Sequence, residues 1–299
     1  MHGGGTVGTA GARHANKLAW ALAMTATYMI AEVIGGLVTG SLALLADAAH
    51  MLTDVGGLAL ALLAIRFAAR EATPQRTFGY LRMEVLSALA NAVVLLLLTV
   101  YILYEAYQRF LAPPEVQSGP MLIVAAIGLV VNLISMRLLA GGSSESLNVK
   151  GAYFEVLSDM LGSIGVIAAA LLMMWKGWIL ADPIIGAGIG LFIVPRTWTL
   201  LKQVAHILME GTPPNVDLAI LERKLLEIAG VTAVHDLHVW TVTSGFDAMS
   251  GHLVVADMSR GREALRNARR VMKADFGIDH VTIQIEDEPL RAEEAVLHV

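Results

Sequence analysis

Cysteine is absent from the 299 residues, so a disulfide framework and any thiolate metal site are excluded. Charge is scarce as well: Asp, Glu, Lys and Arg make up 16%, against about a quarter in a soluble domain. Three hydrolytic or nucleotide signatures are missing, namely H-E-x-x-H, G-x-S-x-G and a phosphate loop. A membrane metallohydrolase is thereby disfavoured, and no enzymatic activity is expected. The opening MHGGGTVGTAGARHANK is long and Gly-rich, and the apolar run after it outlasts a signal peptide's core, so no secretory signal is read there.

Apolar residues fill the place of the missing charge. They form 56% of the chain, with a mean hydropathy of +0.64, and the hydrophobic runs lie between residues 17 and 201. A bilayer core of about 30 Å needs roughly 20 apolar residues per helix. Six spans are expected, near 17–38, 42–67, 80–110, 119–140, 149–175 and 180–203, broken by turn-rich segments such as APPEVQSGP and GGSSES. Basic residues crowd one side of the membrane: Arg13, Lys17, Arg66, Arg70, Arg76, Arg82, Arg137, Lys150, Arg196 and Lys202 stand against Arg109 and Lys176 on the other. With an even number of spans, both termini are expected in the cytoplasm of a multi-pass inner-membrane protein.

Three domains are expected: an amino-terminal tail over 1–16, a six-helix transmembrane domain over 17–210 and a soluble domain over 211–299. Residues 210–299 hold 9 basic and 15 acidic residues, which argues against nucleic acid as a partner. The pattern of the soluble domain reads as helix 217–229, strands 231–243 and 249–257, helix 261–277 and strand 280–286, with 287–299 frayed. The fold class is therefore membrane α-helical with a small carboxy-terminal αββαβ domain of ferredoxin-like kind.

Inside the apolar second span sits ALLADAAHMLTDVG, with His50 and Asp54 four residues apart. The fifth span repeats the spacing in Glu155 and Asp159. Such pairs share one helix face, with Cβ atoms about 5–6 Å apart. Ionisable groups at membrane depth are costly and face a cavity or a partner. If the two faces meet, one imidazole and three carboxylates supply a tetrahedral set for a divalent ion; the plain alternative is two interhelical hydrogen bonds. Asp47, one turn before His50, is read as an orienter of the imidazole or an entry group for the ion, or else as a plain packing contact. Glu32 in the first span is either a proton relay or a helix contact. Asp182 precedes Pro183 and reads as a helix cap. Asn91 and Asn132 read as interhelical hydrogen-bonding groups, and Gly186 and Gly190 as a close-packing stripe. Tyr101, Tyr104, Tyr107, Trp175 and Trp178 read as an interfacial belt.

The segments SLALLADAAHMLTDV, RTFGYLRMEVLSALANA, SLNVKGAYFEVLSDMLGSIGVI and VHDLHVWTVTSG together resemble the cation diffusion facilitator family over nearly the whole chain. The resemblance implies a homodimeric exporter that exchanges cytoplasmic Zn²⁺, with Co²⁺ and Cd²⁺, for protons by alternating access. These ions are cargo, and no resident cofactor is implied. His50, Asp54, Glu155 and Asp159 are implied as the transport site. Many relatives have His where this chain has Glu155, which widens the expected range of ions. Emptied of its ion, a set of three carboxylates cannot stay fully ionised in a low-dielectric setting, so protons are expected to replace the metal.

For the soluble domain the two lines of reading diverge. Strand alternation places His238, His252, His280 and Glu286 on the open face. The resemblance implies His235, His252 and Glu286 as a metal cluster, with Asp279 as a possible addition, and that expectation is adopted. His238 is kept as an accessory. Gln284 stands where some relatives have His. His2, His14, His206 and His298 are assigned no metal role. A metal-sensing or structural membrane protein is the alternative function; it would use the tail site alone and would not need two acidic pairs in the bilayer.

Overall fold

The computed structural model describes residues 10–68, 70–140 and 147–294. The expectations for His2, His298 and the GGSSES turn fall outside these residues, and the side chain of His14 is not described. The chain divides into two compact units, residues 1–60 with 90–200 and residues 61–89 with 201–299.

Six long helices follow the apolar runs: α1 (Ala10–Thr39), α2 (Leu42–Ala68), α3 (Met83–Leu111), α4 (Ser118–Ala140), α5 (Leu147–Lys176) and α6 (Ala181–Leu208). Five of them, all but α2, include a stretch long and apolar enough to cross a membrane among the described residues. α2 runs for 27 residues and carries the His50 segment. Large apolar side chains such as Leu97, Ile123, Leu161 and Phe192 point outward, as they do where lipid is the solvent. The tyrosines of α3 and Trp175 and Trp178 are exposed too, consistent with an interfacial belt.

The turn between α1 and α2 is built by Gly40 at φ +71, a left-handed conformation that suits glycine. Ser41 Oγ then accepts from Leu44 N at 3.1 Å and caps α2. Asp182 is a cap as expected, but of another helix. Its Oδ2 accepts from Leu42 N at 2.8 Å, its Oδ1 from Ala43 N at 3.1 Å and from Ser41 Oγ at 2.6 Å, while Arg109 Nη1 lies 3.3 Å from Oδ2. It therefore joins the start of α6 to the start of α2. A Cβ on Gly186 would lie 3.1–3.2 Å from Leu42 and Ala43, so this glycine permits the close approach. Asn132 Nδ2 on α4 donates to Ser163 Oγ on α5 at 3.5 Å.

The second unit contains the carboxy-terminal domain, in the order α7 (Leu218–Leu226), β1 (Val231–Thr243), β2 (Phe246–Val255), α8 (Gly261–Phe276), β3 (His280–Glu286) and α9 (Glu288–Glu294). This is the αββαβ order read from the sequence, with one correction: residues 288–294, expected to fray, form a helix whose first turn is held by Asp287 Oδ1 accepting from Leu290 N. The sheet order is β1-β2-β3, antiparallel between β1 and β2 and parallel between β2 and β3. Asp217 caps α7 by accepting from Ala219 N and Ile220 N. Leu221 and Leu225 of α7, Met249 and Leu253 of β2 and Ala268 and Met272 of α8 fill the core. Each large side chain buried there contributes about 1.5–3 kcal/mol.

Candidate functional site

Of the two i, i+4 pairs on α2 and α5, three residues meet. α2 and α5 bring His50, Asp54 and Asp159 together, with one ligand atom from each lying within 4.8 Å of the others. His50 is 7% exposed and Asp159 2%. His50 Nε2 stands 3.7 Å from Asp54 Oδ2 and 4.0 Å from Asp159 Oδ1. Metal bonds of about 2.0–2.1 Å in a tetrahedron put neighbouring ligand atoms about 3.3 Å apart, so a small contraction would close these donors on an ion. Asp54 Oδ2 and Asp159 Oδ1 have no hydrogen-bond partner although they are buried. Buried polar atoms are ordinarily satisfied, and acceptors left over on two acids facing one imidazole fit a cation between them.

Glu155 stands beside this group and not inside it. Its Oε1 accepts from Arg196 Nη1 of α6 at 2.8 Å. Arg196 follows Pro195, an interior proline that lacks the N–H for the helix ladder. The sequence pattern did not single out Arg196: it reads as one more basic residue on the charged side. Asp47, on the same face of α2, is 1% exposed and lines with His50 a cavity of about 330 Å³. Its Oδ1 packs against Gly162 of α5 so closely that a Cβ there would meet it at 2.3 Å. Glu32 of α1 is 0% exposed and accepts from Tyr28 Oη at 2.8 Å.

The carboxy-terminal domain holds a second group. His235, His252 and Glu286 offer one ligand atom each within 4.8 Å of one another. Glu286 is fully buried, with His235 Nε2 at 2.8 Å from Oε2 and His252 Nδ1 at 2.5 Å from Oε1. The two imidazoles meet edge to face at 4.9 Å between centroids. Gln284, where some relatives have His, donates from Nε2 to Glu286 Oε1 at 3.0 Å and so supports the carboxylate.

Alternation chose His238 over His235, and a bulge explains the failure. The register of β1 on β2 shifts between His235 and His238, and Asp236 there has φ +49. An inserted residue flips the faces of a strand. His238 is turned outward and its Nε2 lies 2.9 Å from Asp236 Oδ1. Asp236 Oδ2 is 3.6 Å from His252 Nε2, a neighbour that the sequence reading did not propose. Asp279, the suggested addition, is paired at 2.6 Å with Lys273. His280 packs on Phe78 and Phe246. His206, expected to be solvated, is exposed and lies 2.8 Å through Nε2 from the Thr212 carbonyl.

The family profile described as the cation efflux transmembrane domain matches residues 18–209. That of the cation efflux protein cytoplasmic domain matches residues 213–288. The chain is 50% identical over 279 residues to the metal cation efflux system protein CzcD of Cupriavidus metallidurans, covering 93% of this chain and 88% of that one. It is 43% identical to the cadmium, cobalt and zinc/H(+)-K(+) antiporter of Bacillus subtilis, over 92% and 89% of the two chains. With the zinc transporter ZitB of Escherichia coli it shares 42% identity over 92% and 88%. Among solved structures, a metal-bound carboxy-terminal domain of the CzcD transporter aligns at 40% identity, covering 24% of this chain and 99% of that one, with a TM-score of 0.22.

Proposed function

This chain belongs to the cation efflux family, and from that premise we propose that it exports Zn²⁺, with Co²⁺ and Cd²⁺, from the cytoplasm in exchange for protons. The observation that carries the reading is the group of His50, Asp54 and Asp159, whose acid oxygens are buried and unpartnered inside membrane helices. Glu155 completes the set as the fourth ligand when the ion draws it from Arg196. The relatives named for cadmium, cobalt and zinc antiport and for zinc transport support the class of ion.

The chemistry follows from charge. Three carboxylates and a neutral imidazole carry about −3, and a divalent ion leaves about −1; loss of the ion must be balanced by protons or by another cation. Exchange of the two is antiport. Nitrogen and oxygen donors without sulfur admit several first-row ions, since geometry and ligand type set selectivity more than raw affinity. Residues 17–210 form the transport domain, and residues 211–299 a cytoplasmic domain that binds metal through His235, His252 and Glu286 and joins a second copy. Metal there favours one state of the dimer by binding it more tightly. The protein lies in the inner membrane with both termini in the cytoplasm, as the asymmetry of basic residues indicates.

Uptake of Zn²⁺ into proteoliposomes under a pH gradient tests the proposal. The parent is expected to move Zn²⁺ against protons, and Asp54→Ala to abolish it. Glu155→His is expected to narrow the range of ions carried. Normal transport by Asp54→Ala would place the ion path elsewhere.

A further inference from the structure

The carboxy-terminal domain is acidic, yet most of its cations are gathered on one face of α8. Of the 9 basic residues in 210–299, five are Arg262, Arg266, Arg269, Arg270 and Lys273. With about 3.6 residues per turn they form one stripe about 16 Å long. It lies away from the buried Ala264, Ala268 and Met272, and all five side chains are exposed. Together with Asp279 they line a recess of about 490 Å³.

This arrangement works against the helix. Arg262 and Arg266, Arg266 and Arg270, and Arg269 and Lys273 stand four residues apart, and like charges at that spacing repel. The acids of α8 that could relieve them are engaged with other cations: Glu263 pairs with Arg260 and Asp275 with Lys224. Lys273 is matched by Asp279 at 2.6 Å. Among the described residues none of the four arginines has a carboxylate partner. A face whose charges oppose its own element fits an anion from outside the fold. Guanidinium forks grip phosphate oxygens in pairs. The stripe is longer than one phosphate group, so it suits a surface that presents several.

The chain holds the domain beside such a surface. α6 ends at Leu208 and α7 begins at Leu218, and the segment between them reaches at most about 35 Å. Within the second unit, β3 starts at His280, soon after the Gly277 that ends α8. His280 packs on Phe78 at 5.4 Å between centroids, and Phe78 lies in the connection from α2 to α3. Thr243 Oγ1 donates to Glu84 Oε2, in the first turn of α3, at 2.5 Å. The Lys273 end of the stripe thus leads into the contact with the membrane helices. The same connection carries Arg70, Arg76 and Arg82, and anionic lipid headgroups attract basic groups beside a membrane helix.

We propose that the arginine stripe of α8 docks the carboxy-terminal domain on anionic lipid headgroups, whose phosphates the guanidinium groups bind. Because the domain is tethered to the bilayer, docking is intramolecular and a modest attraction holds it. The inference rests on the chain's membership of a membrane family and not on which ion it carries.

The test uses the full chain. It has no cysteine, so Ala274→Cys, exposed and one turn beyond Arg270, gives a single attachment point for a fluorophore. The labelled protein is placed in nanodiscs of phosphatidylcholine, with or without phosphatidylglycerol, that contain a fixed trace of a headgroup-nitroxide lipid as quencher. Phosphatidylglycerol is expected to raise quenching, and high salt to reverse it. Arg266→Gln with Arg270→Gln is expected to lower the docked-to-free ratio about thirtyfold, or about fivefold per arginine. Arg223→Gln with Arg291→Gln removes the same charge off the stripe and is expected to keep the parent's response. Parent quenching that ignores phosphatidylglycerol would overturn the proposal, whether a second copy or water alone covers the stripe. Equal losses in the two double variants would overturn it too, because the domain's net charge would then account for the attraction. Inorganic triphosphate tests the soluble source of the same chemistry. A change in the label's emission with triphosphate, without any response to phosphatidylglycerol, would assign the stripe to a soluble anion and overturn lipid docking.

Discussion

Arg196 holds Glu155 with an ion pair of 2.8 Å while His50, Asp54 and Asp159 face one another. In the proposed transport cycle a metal ion that recruits Glu155 breaks that pair, so the guanidinium competes with the cargo. Arg196 is largely exposed, which limits the pair to the lower range for ion pairs, about 0.2–1 kcal/mol. Arg196→Gln is therefore expected to lower the KM for Zn²⁺ uptake by about two- to fivefold and to slow release on the far side. A KM unchanged or raised would show that the pair does not oppose binding. In the carboxy-terminal domain, the bulge at Asp236 makes a contrast between neighbouring histidines. His252→Ala is expected to abolish Zn²⁺ binding by that domain in the full chain, and His238→Ala to leave it intact; equilibrium dialysis with both variants decides.

At the scale of the element, Asp182 ties three segments by capping α2, opening α6 and meeting Arg109 of α3. Its carboxylate is fully buried, and removing one partner of a buried pair leaves the other charge without compensation. Asp182→Ala is expected to destabilise the protein by about 3–5 kcal/mol, measured by denaturant unfolding in detergent. A loss below about 1 kcal/mol would mean that Glu105, the other neighbour of Arg109, compensates. The glycines of α4 and α5 act at the same scale. Gly128 and Gly162 decide whether a phenol and an acid can lie between helices, a matter that hydrophobic periodicity does not report.

For the whole molecule, the proposed metal site of His235, His252 and Glu286 would link the carboxy-terminal domain's stability to ion supply. A ligand at 100 times its dissociation constant stabilises the native state by about 2.7 kcal/mol. Chelation is expected to lower the unfolding temperature of that domain in the full chain, and Glu286→Gln to make it insensitive to chelator. An unfolding temperature that ignores both metal and chelator would remove the domain from any regulatory role.

Features that depend on local period and on the cost of charge in an apolar run could be read from the chain alone. Six helices, the αββαβ order and the shared helix face of His50 with Asp54 and of Glu155 with Asp159 were legible on that basis, because period and i, i+4 spacing are properties of the chain alone. The choice of His235 over His238 was legible only through the family resemblance. Tertiary structure decided the rest. A bulge, invisible to alternation, turned His238 outward. Asp182 capped a helix 140 residues away in sequence from its own. Arg196 met Glu155 across 41 residues, and Asp47 packed against Gly162 of another helix. Each of these depends on which surfaces come within a few ångströms, and no periodicity in one segment encodes the distance to another.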